Sequence, residues 1–249
     1  RILWTFSAAY RRWPRSEFLE AARRAGSYLA NHFVDPRYGG IFWSVSADGE
    51  PAVRKKQVYA QAFAIYGFSE YFRATRDDSA RELARSLFLL LERYARDPEF
   101  GGYCEAFSEE WAPIEDMRLS EKDLNIEKSM NTNLHVMEAY VNLYRIWPDP
   151  LLRQRIMELT EVLECRMFDA RTSHLGLFFD RRWNRADRCI SYGHDIETAW
   201  LIDRGCKVLD DPELTQKMYA ITRDLTAQIY KVAFDGHSLA NECDRGVVN

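Results

Sequence analysis

The sequence has no marked excess of charge of either sign. Its 34 Lys and Arg residues against 38 Asp and Glu residues give a net charge of −4 at pH 7, whereas surfaces that bind nucleic acids or anionic membranes carry basic patches. The sequence also lacks a signal peptide at its start and an apolar run near the ~20 residues that a membrane-spanning helix needs. We therefore expect no nucleic-acid partner, no membrane partner and a cytoplasmic location.

Cysteine patterns typical of disulfide frameworks or zinc sites are absent as well. The five cysteines are widely spaced and none forms a Cys-x-x-Cys pair, so we interpret them as reduced thiols. There is no Walker-type phosphate loop, no Gly-x-Gly-x-x-Gly motif and no Gly-x-Ser-x-Gly motif. The sequence therefore gives no indication of a nucleotide cofactor.

What the sequence does contain is a repeated glycine turn. Residues 35–40 (DPRYGG) are echoed by residues 97–102 (DPEFGG), and looser versions follow at 168–177 and 234–236. The turns recur about every 60 to 75 residues, which is longer than common solenoid repeats. This spacing suits two helices and two connections per repeat.

The segments between the turns alternate between two kinds of helix. Residues 83–94 carry one apolar face, which is typical of an amphipathic helix, whereas residues 58–72 are apolar nearly all round, which indicates a buried helix. Asp149-Pro150 and Asp211-Pro212 are N-cap and first-turn pairs. With short strands expected in the long connections, the predicted helices cover residues 2–11, 16–33, 56–74, 79–95, 130–147, 150–167, 192–208 and 212–231.

Hairpins that alternate buried and amphipathic helices can form a barrel whose inner helices are parallel. The long connections then lead into the N-termini of the inner helices, and all these N-termini open on one face, where the connections can wall a pocket. Four hairpins are predicted, fewer than a closed double ring of this kind needs. We expect an all-α barrel, incomplete in this chain, that forms a single catalytic domain over residues 1–249 truncated at both ends.

Two of the buried helices begin with the same motif, His135-x-x-Glu138 and His194-x-x-Glu197. Residues i and i+3 share a helix face, so each imidazole has a carboxylate beside it. Imidazole titrates near neutrality, and a neighbouring carboxylate fixes its tautomer and raises its basicity. A buried structural histidine is the alternative for either motif alone, but their repetition at corresponding helix starts favours general acid–base chemistry.

A metal site is the weaker interpretation of these motifs. Di-iron bundles use Glu-x-x-His twice with two further glutamates, whereas here the order is reversed and matching glutamates are missing from the other inner helices. We predict no metal ligands. The remaining histidines, His32, His174 and His237, lack such context and are interpreted as structural.

Five motifs together point to a known family. They are residues 1–10 (RILWTFSAAY), 101–107 (GGYCEAF), 116–120 (DMRLS), 130–135 (MNTNLH) and 191–197 (SYGHDIE). They resemble the N-acylglucosamine 2-epimerase superfamily, and within it the bacterial cellobiose 2-epimerases, over essentially the whole chain. The resemblance implies an (α/α)6 barrel. It also implies cofactor-independent epimerisation at C2 of the reducing-end glucose of β-1,4-linked disaccharides, by ring opening and a histidine-mediated proton transfer through an enediolate.

The resemblance also implies the roles of individual residues. His194 matches an acid–base catalyst supported by Glu197, and the family's second catalytic histidine lies beyond Asn249. Asn133 stands where many relatives have His, which we expect to alter the pocket modestly. The substrate-binding residues that the resemblance implies are Arg1, Tyr59, Phe63, Asp123, Asn131 and His135.

Other functions remain open at this point. An N-acylglucosamine 2-epimerase or an aldose–ketose (mannose) isomerase of the same superfamily would share His194 and Glu197. A glycoside hydrolase on the same barrel needs two carboxylates about 5–9 Å apart, for which Glu105, Asp116 and Asp123 are the candidates. A non-catalytic sugar-binding barrel is the last alternative. In each case the expected partner is a small sugar, and the expected assembly is a monomer or a weak dimer.

Overall fold

The computed structural model describes residues 1–244 and 247–248. Within these residues the helices are α1 Ile2–Arg12, α2 Ser16–Tyr28, α3 Val58–Thr75, α4 Asp78–Leu90, α5 Met130–Tyr144, α6 Pro150–Val162, α7 Tyr192–Leu209 and α8 Pro212–Val232. Three of the even-numbered helices continue into a π-helical turn, over Leu29–Phe33, Leu91–Ala95 and Leu163–Met167. All eight predicted helices are confirmed. None of the described helices has the length and apolarity that crossing a membrane requires.

The helices form four hairpins in two layers. Helices α1, α3, α5 and α7 pack side by side as the inner layer, and each contacts the even-numbered helix that follows it. The inner helix α5 is buried on nearly all sides, whereas α4 buries one stripe that includes Ala84 and Leu87. Burial of these apolar faces drives the association. The result is the double layer of helical hairpins that an (α/α)6 barrel has, with four of its hairpins in this chain.

Short strands tie each connection to the next one. They are β1 Ser44–Val45, β2 Pro51–Val53, β3 Lys56–Gln57, β4 Ala106–Phe107, β5 Lys128–Ser129, β6 Phe168–Asp169, β7 His174–Leu175, β8 Phe178–Phe179, β9 Ile190–Ser191, β10 Glu242–Asp244 and β11 Val247–Val248. The strands that enter α3, α5 and α7 are β3, β5 and β9, and they pair antiparallel with β4, β8 and β10 of the following connection. The start of each of these inner helices is therefore fixed by its neighbour.

A buried ion pair joins each of the first two glycine turns to the helix after it. The carboxylate of Asp35 accepts two N–H bonds from its own turn and lies 2.6 Å from the ammonium of Lys56. Asp97 does the same in the second turn, with Lys128 at 2.9 Å. Both lysine side chains are fully buried. Since an unpaired buried charge is strongly destabilising, each pair requires the turn and the helix start to stay together.

The fourth residue of an inner helix clamps the chain that follows the glycine turn. On α3, the amide of Gln61 accepts the N–H of Ile41 at 2.6 Å and donates to its C=O at 2.7 Å. On α5, the amide of Asn133 bonds the N–H of Tyr103 at 2.8 Å and its C=O at 3.1 Å. Asn133 is therefore committed to the backbone, so the expectation that it alters the pocket is replaced by this structural role.

On α7 an acidic side chain takes the place of the amide. The carboxylate of Asp195 accepts the N–H of Leu175 at 3.0 Å and bonds Nδ1 of His174 at 2.7 Å. Burial raises the pKa of Asp195, and the hydrogen bond from His174 opposes that shift. His174, interpreted from the sequence as structural, is thus the buried partner of this clamp.

Glycine is required where the clamp meets the turn. Gly102 has φ +70°, and a Cβ there would lie 2.4 Å from Cζ2 of Trp183 and 2.9 Å from Oδ1 of Asn133. The indole of Trp183 donates to the C=O of Phe100 at 2.9 Å, so it seals the next connection against this turn. Both the backbone conformation and the close approach exclude a side chain at this position.

We expect Asn133→Ala to lower the free energy of unfolding by about 2–4 kcal/mol, because the buried N–H and C=O of Tyr103 lose their partners. Asn131→Ala is the matched control on the same helix. Its Oδ1 has no hydrogen-bond partner among the described residues, so we expect a loss below about 1 kcal/mol. Urea denaturation measures both values. Equal losses in the two variants would contradict the stabilising role of the clamp.

Candidate functional site

The predicted site residues lie at one end of the inner layer. They occupy the N-cap of α1, the first two turns of α3, α5 and α7, and the connection before α5. Ser129 and Ser191 cap α5 and α7 through their hydroxyl groups. Because helix N-termini carry partial positive charge, this end of the layer favours a ligand or an intermediate with negative charge.

Four of the predicted residues form one cluster. The guanidinium of Arg1 donates to the hydroxyl of Tyr59, and its Cζ lies 4.5 Å from the centroid of the Phe63 ring, a cation–π contact. The ring of His135 contacts both aromatic rings, with centroids 5.2 Å from Tyr59 and 4.8 Å from Phe63. Since a guanidinium has five N–H donors, Arg1 keeps donors for an oxygen-rich ligand.

Glu138 fixes the tautomer of His135. Nδ1 of the ring lies 2.9 Å from Oε2 of Glu138, three residues along the same helix. A carboxylate only accepts hydrogen bonds, so Nδ1 carries a proton and donates. In the neutral ring Nε2 is then the acceptor, and in the charged ring it is a second donor. The pairing that the sequence predicts is therefore present on α5.

His194 is held in a different way. Nδ1 of its ring lies 2.8 Å from the hydroxyl of Ser191, and the described residues include no hydrogen bond between His194 and Glu197. Burial lowers the pKa of His194, the charge of Glu197 opposes this, and His135 lowers it further. The balance favours the neutral ring, which is the form that a general base needs at neutral pH.

A cavity of about 70 Å³ brings a second group of predicted residues together. Asp123, Asn131 and His194 line it, together with Glu105. Asp123 is also tied to its own loop, because its carboxylate accepts the N–H and the hydroxyl of Ser120 at 2.8 and 3.0 Å. Among the described residues, no three His, Cys, Asp or Glu side chains are grouped as metal ligands would be.

Glu105 is a residue of this cavity that sequence reasoning considered only as a hydrolase candidate. Its buried carboxylate accepts the N–H and the hydroxyl of Ser129 at 2.9 and 2.8 Å, and the hydroxyl of Thr132 at 2.7 Å. It therefore anchors the helix start that carries Asn131 and His135. Burial raises the pKa of Glu105 to about 7, and these hydrogen bonds oppose the rise. The sequence signals it only by its place after the glycine turn.

The raised pKa of Glu105 makes stability depend on pH. The unfolded group titrates near 4.5 and the folded group near 7, so the native state binds this proton more tightly. The contribution of this proton to the free energy of unfolding is fully present below pH 4.5 and is lost as the pH rises through 7. Glutamine does not titrate, so it escapes this loss. From pH 4 to pH 8 we expect the free energy of unfolding of Glu105→Gln to rise by roughly 3 kcal/mol relative to that of the unsubstituted protein.

Urea denaturation across this pH range measures the effect. Glu109→Gln is the control, because Glu109 belongs to the same connection but pairs with Arg54 in a partly exposed salt bridge. We expect its stability to follow that of the unsubstituted protein. If the stability of Glu105→Gln changed with pH in the same way as that of Glu109→Gln and of the unsubstituted protein, the Glu105 carboxyl would not titrate near neutrality in the folded state.

Comparison with known proteins places the chain in a family. The sequence profile described as N-acylglucosamine 2-epimerase (GlcNAc 2-epimerase) matches residues 1–238. The chain is 47% identical over 227 residues to the cellobiose 2-epimerase of Bacteroides fragilis, which covers 91% of this chain and 58% of that protein. It is 37% identical over 249 residues to the cellobiose 2-epimerase of Dictyoglomus turgidum, which covers 100% of this chain and 64% of that protein.

A solved structure agrees with the sequence comparisons. The cellobiose 2-epimerase from Bacillus thermoamylovorans B4167 matches with a TM-score of 0.93 and 37% identity, over 100% of this chain and 64% of that one. The chain therefore spans about three fifths of the length of these relatives. By its sequence and by its fold, the chain belongs to the N-acylglucosamine 2-epimerase family.

Proposed function

We propose that the protein is a cofactor-independent sugar 2-epimerase. Its substrate would be a β-1,4-linked disaccharide such as cellobiose, with inversion at C2 of the reducing-end glucose to give 4-O-β-D-glucosyl-D-mannose. The observation that carries this proposal is the presence of two histidines, His135 and His194, at the starts of neighbouring inner helices, with His135 against the aromatic rings that hold the Arg1 guanidinium. The names of the relatives favour the same substrate class.

The chemistry begins with opening of the sugar ring, which exposes the C1 aldehyde. The carbonyl acidifies the C2 proton, and a base removes it to give a planar enediolate. Donors from Arg1, Asn131 and His135 would stabilise the oxyanion, together with the partial positive charge of the helix N-termini. Return of a proton to the opposite face of C2 gives the epimer, so no net redox change occurs.

We assign His194 as one acid–base catalyst. Its neutral ring can take a proton, and the nearby charge of Glu197 stabilises the imidazolium that results. Inversion also needs a proton donor on the other face, or a rotation about C2–C3 that presents the other face to a second group. The family resemblance implies that this second group is a histidine beyond Asn249.

Tyr59, Phe63 and Asp123 complete the proposed sugar pocket. Tyr59 and Phe63 hold the Arg1 guanidinium, and their rings offer apolar faces to the sugar. Asp123 adds a carboxylate that can accept from sugar hydroxyl groups. We further propose that this region belongs to one barrel domain of a bacterial, cytoplasmic enzyme that acts as a monomer or a weak dimer.

The candidate carboxylates do not favour a glycoside hydrolase. Asp116 is exposed and its hydrogen bond from Arg118, at 2.9 Å, holds the pKa of that carboxyl well below its usual range. Asp123 accepts two hydrogen bonds from Ser120, and Glu105 is enclosed by the start of α5. Although Glu105 and Asp123 line one cavity, hydrogen bonds from the protein occupy both carboxylates, whereas a hydrolase needs two carboxyl groups that face the same glycosidic bond.

The substrate proposal is tested with the full-length protein in D2O, where proton NMR follows cellobiose, N-acetylglucosamine and mannose separately. We expect deuterium at C2 of cellobiose and growth of a mannose-type anomeric signal, because the removed proton exchanges with solvent. Exchange with N-acetylglucosamine alone, fructose formed from mannose, or free glucose would each replace the proposal by another activity. Absence of exchange with all three sugars would contradict it.

His194→Ala in the full-length protein tests the catalytic assignment. We expect kcat for cellobiose to fall about 10²–10⁴-fold, the usual effect of losing a general acid–base group. We expect KM to change by less than about threefold, because Arg1 and His135 still bind the sugar. His237→Ala, in an exposed connection, is the control and should retain full turnover. Retained turnover in His194→Ala would overturn the assignment.

A further inference from the structure

The end of the inner layer opposite the candidate site encloses a cavity of about 360 Å³. Each inner helix contributes one arginine to it, from its last turns or from its C-cap: Arg11 from α1, Arg73 from α3, Arg145 from α5 and Arg204 from α7. We call these four residues the arginine ring. A cavity of this size lies within the range of small-molecule sites.

Among the described residues, the arginine ring has fewer carboxylate partners than guanidinium groups. Glu70 pairs with Arg11 at 2.6 Å and with Arg73 at 2.7 Å. Arg145 and Arg204 form no ion pair with any described residue. The other carboxylate that lines the cavity, Glu138, is bonded to His135. The cavity therefore has two guanidinium groups without a carboxylate partner.

Trp4 adds an independent sign of a missing acceptor. It lines the same cavity, and its indole Nε1 is buried with no hydrogen-bond partner among the described residues. Its ring is fixed by stacking on Tyr66, with centroids 5.1 Å apart. A buried donor without an acceptor costs about 1–3 kcal/mol, so an acceptor in this cavity would remove that cost.

The arginines also crowd one another. Burial lowers the pKa of Arg145, and the positive charges of Arg73 and Arg204 lower it further. The C-termini of the four inner helices offset part of this charge, at about −0.5 each. The partial negative charge of the carbonyl groups at these helix C-termini explains why arginines are favoured at this end of the layer. Glu70, Glu138 and Asn142 also line the cavity, but among the described residues none accepts a hydrogen bond from Trp4.

We propose that the arginine ring binds a phosphate-type oxyanion. Arg145 and Arg204 would form charge-assisted hydrogen bonds with its oxygens, which suit the planar fork of a guanidinium, and Trp4 would donate to a further oxygen. None of the predicted site residues lines this cavity, so the proposed sugar pocket lies elsewhere. The proposal does not depend on the epimerase activity.

Calorimetric titration of the full-length protein with inorganic phosphate tests the proposal, at constant ionic strength with chloride as the compensating anion. We expect saturable binding at one site and a Tm that rises with phosphate by at least about 2 °C. In the double variant Arg145→Gln, Arg204→Gln we expect binding at least tenfold weaker. Both residues are exposed and outside ion pairs, so the variant should fold, which circular dichroism checks.

Two further variants sharpen the test. Arg12→Gln removes an exposed arginine from the same helix end as Arg11 but outside the cavity, and its phosphate affinity should be unchanged. Trp4→Phe keeps the ring that stacks on Tyr66 and removes only the N–H, so it should weaken binding severalfold. Absence of saturable binding, or equal affinity in all variants, would overturn the proposal and leave the arginines as partners of the helix C-termini.

Discussion

The rest of the structure depends on one hydrogen-bonded contact, the clamp between the fourth residue of an inner helix and the chain after the glycine turn. Gln61, Asn133 and Asp195 make it on three successive inner helices. A backbone segment buried between a turn and a helix belongs to no long strand or helix that could pair its N–H and C=O groups. These groups must therefore find other hydrogen-bond partners. Because the clamp satisfies them from the first turn of the helix, it fixes the helix start relative to its connection. The candidate site is built on those same first turns.

Structural and chemical roles are divided between close neighbours in the sequence. Asn133 holds Tyr103, whereas Asn131, two residues earlier, lines the cavity beside His194. Asp195 holds Leu175, whereas His194, one residue earlier, borders the cavity. Successive helical residues point about 100° apart, so one turn can face both the clamp and the pocket. A rigid first turn is what keeps the candidate site side chains in place, since their own hydrogen bonds are few.

The sequence was sufficient for what depends on local patterns. Helical periodicity and the Asp-Pro caps predicted all eight helices, and the repeated His-x-x-Glu motif led to His135 and His194. Contacts between distant residues were not predictable in this way. The hydrogen bonds of Glu105 to Ser129 and Thr132 join residues more than twenty positions apart, and no periodicity signals them. Ser191, which bonds His194, stood out in the sequence only as part of the motif of residues 191–197. Asn133 was expected to alter the pocket because many relatives have His there, whereas its partner Tyr103, thirty positions earlier, could not be read from the sequence.

Parallel packing of the inner helices gives the two ends of the layer opposite electrostatic character. At the N-terminal end the partial positive charges add, and Arg1 and two imidazoles lie there together with carboxylates that include Glu105 and Asp123. At the C-terminal end the partial negative charges add, and there each inner helix carries an arginine. The arginines there lie close to one another, and partial burial followed by the charges of Arg73 and Arg204 lowers the pKa of Arg145. The same helix alignment therefore favours anionic groups at one end of the layer and cations at the other.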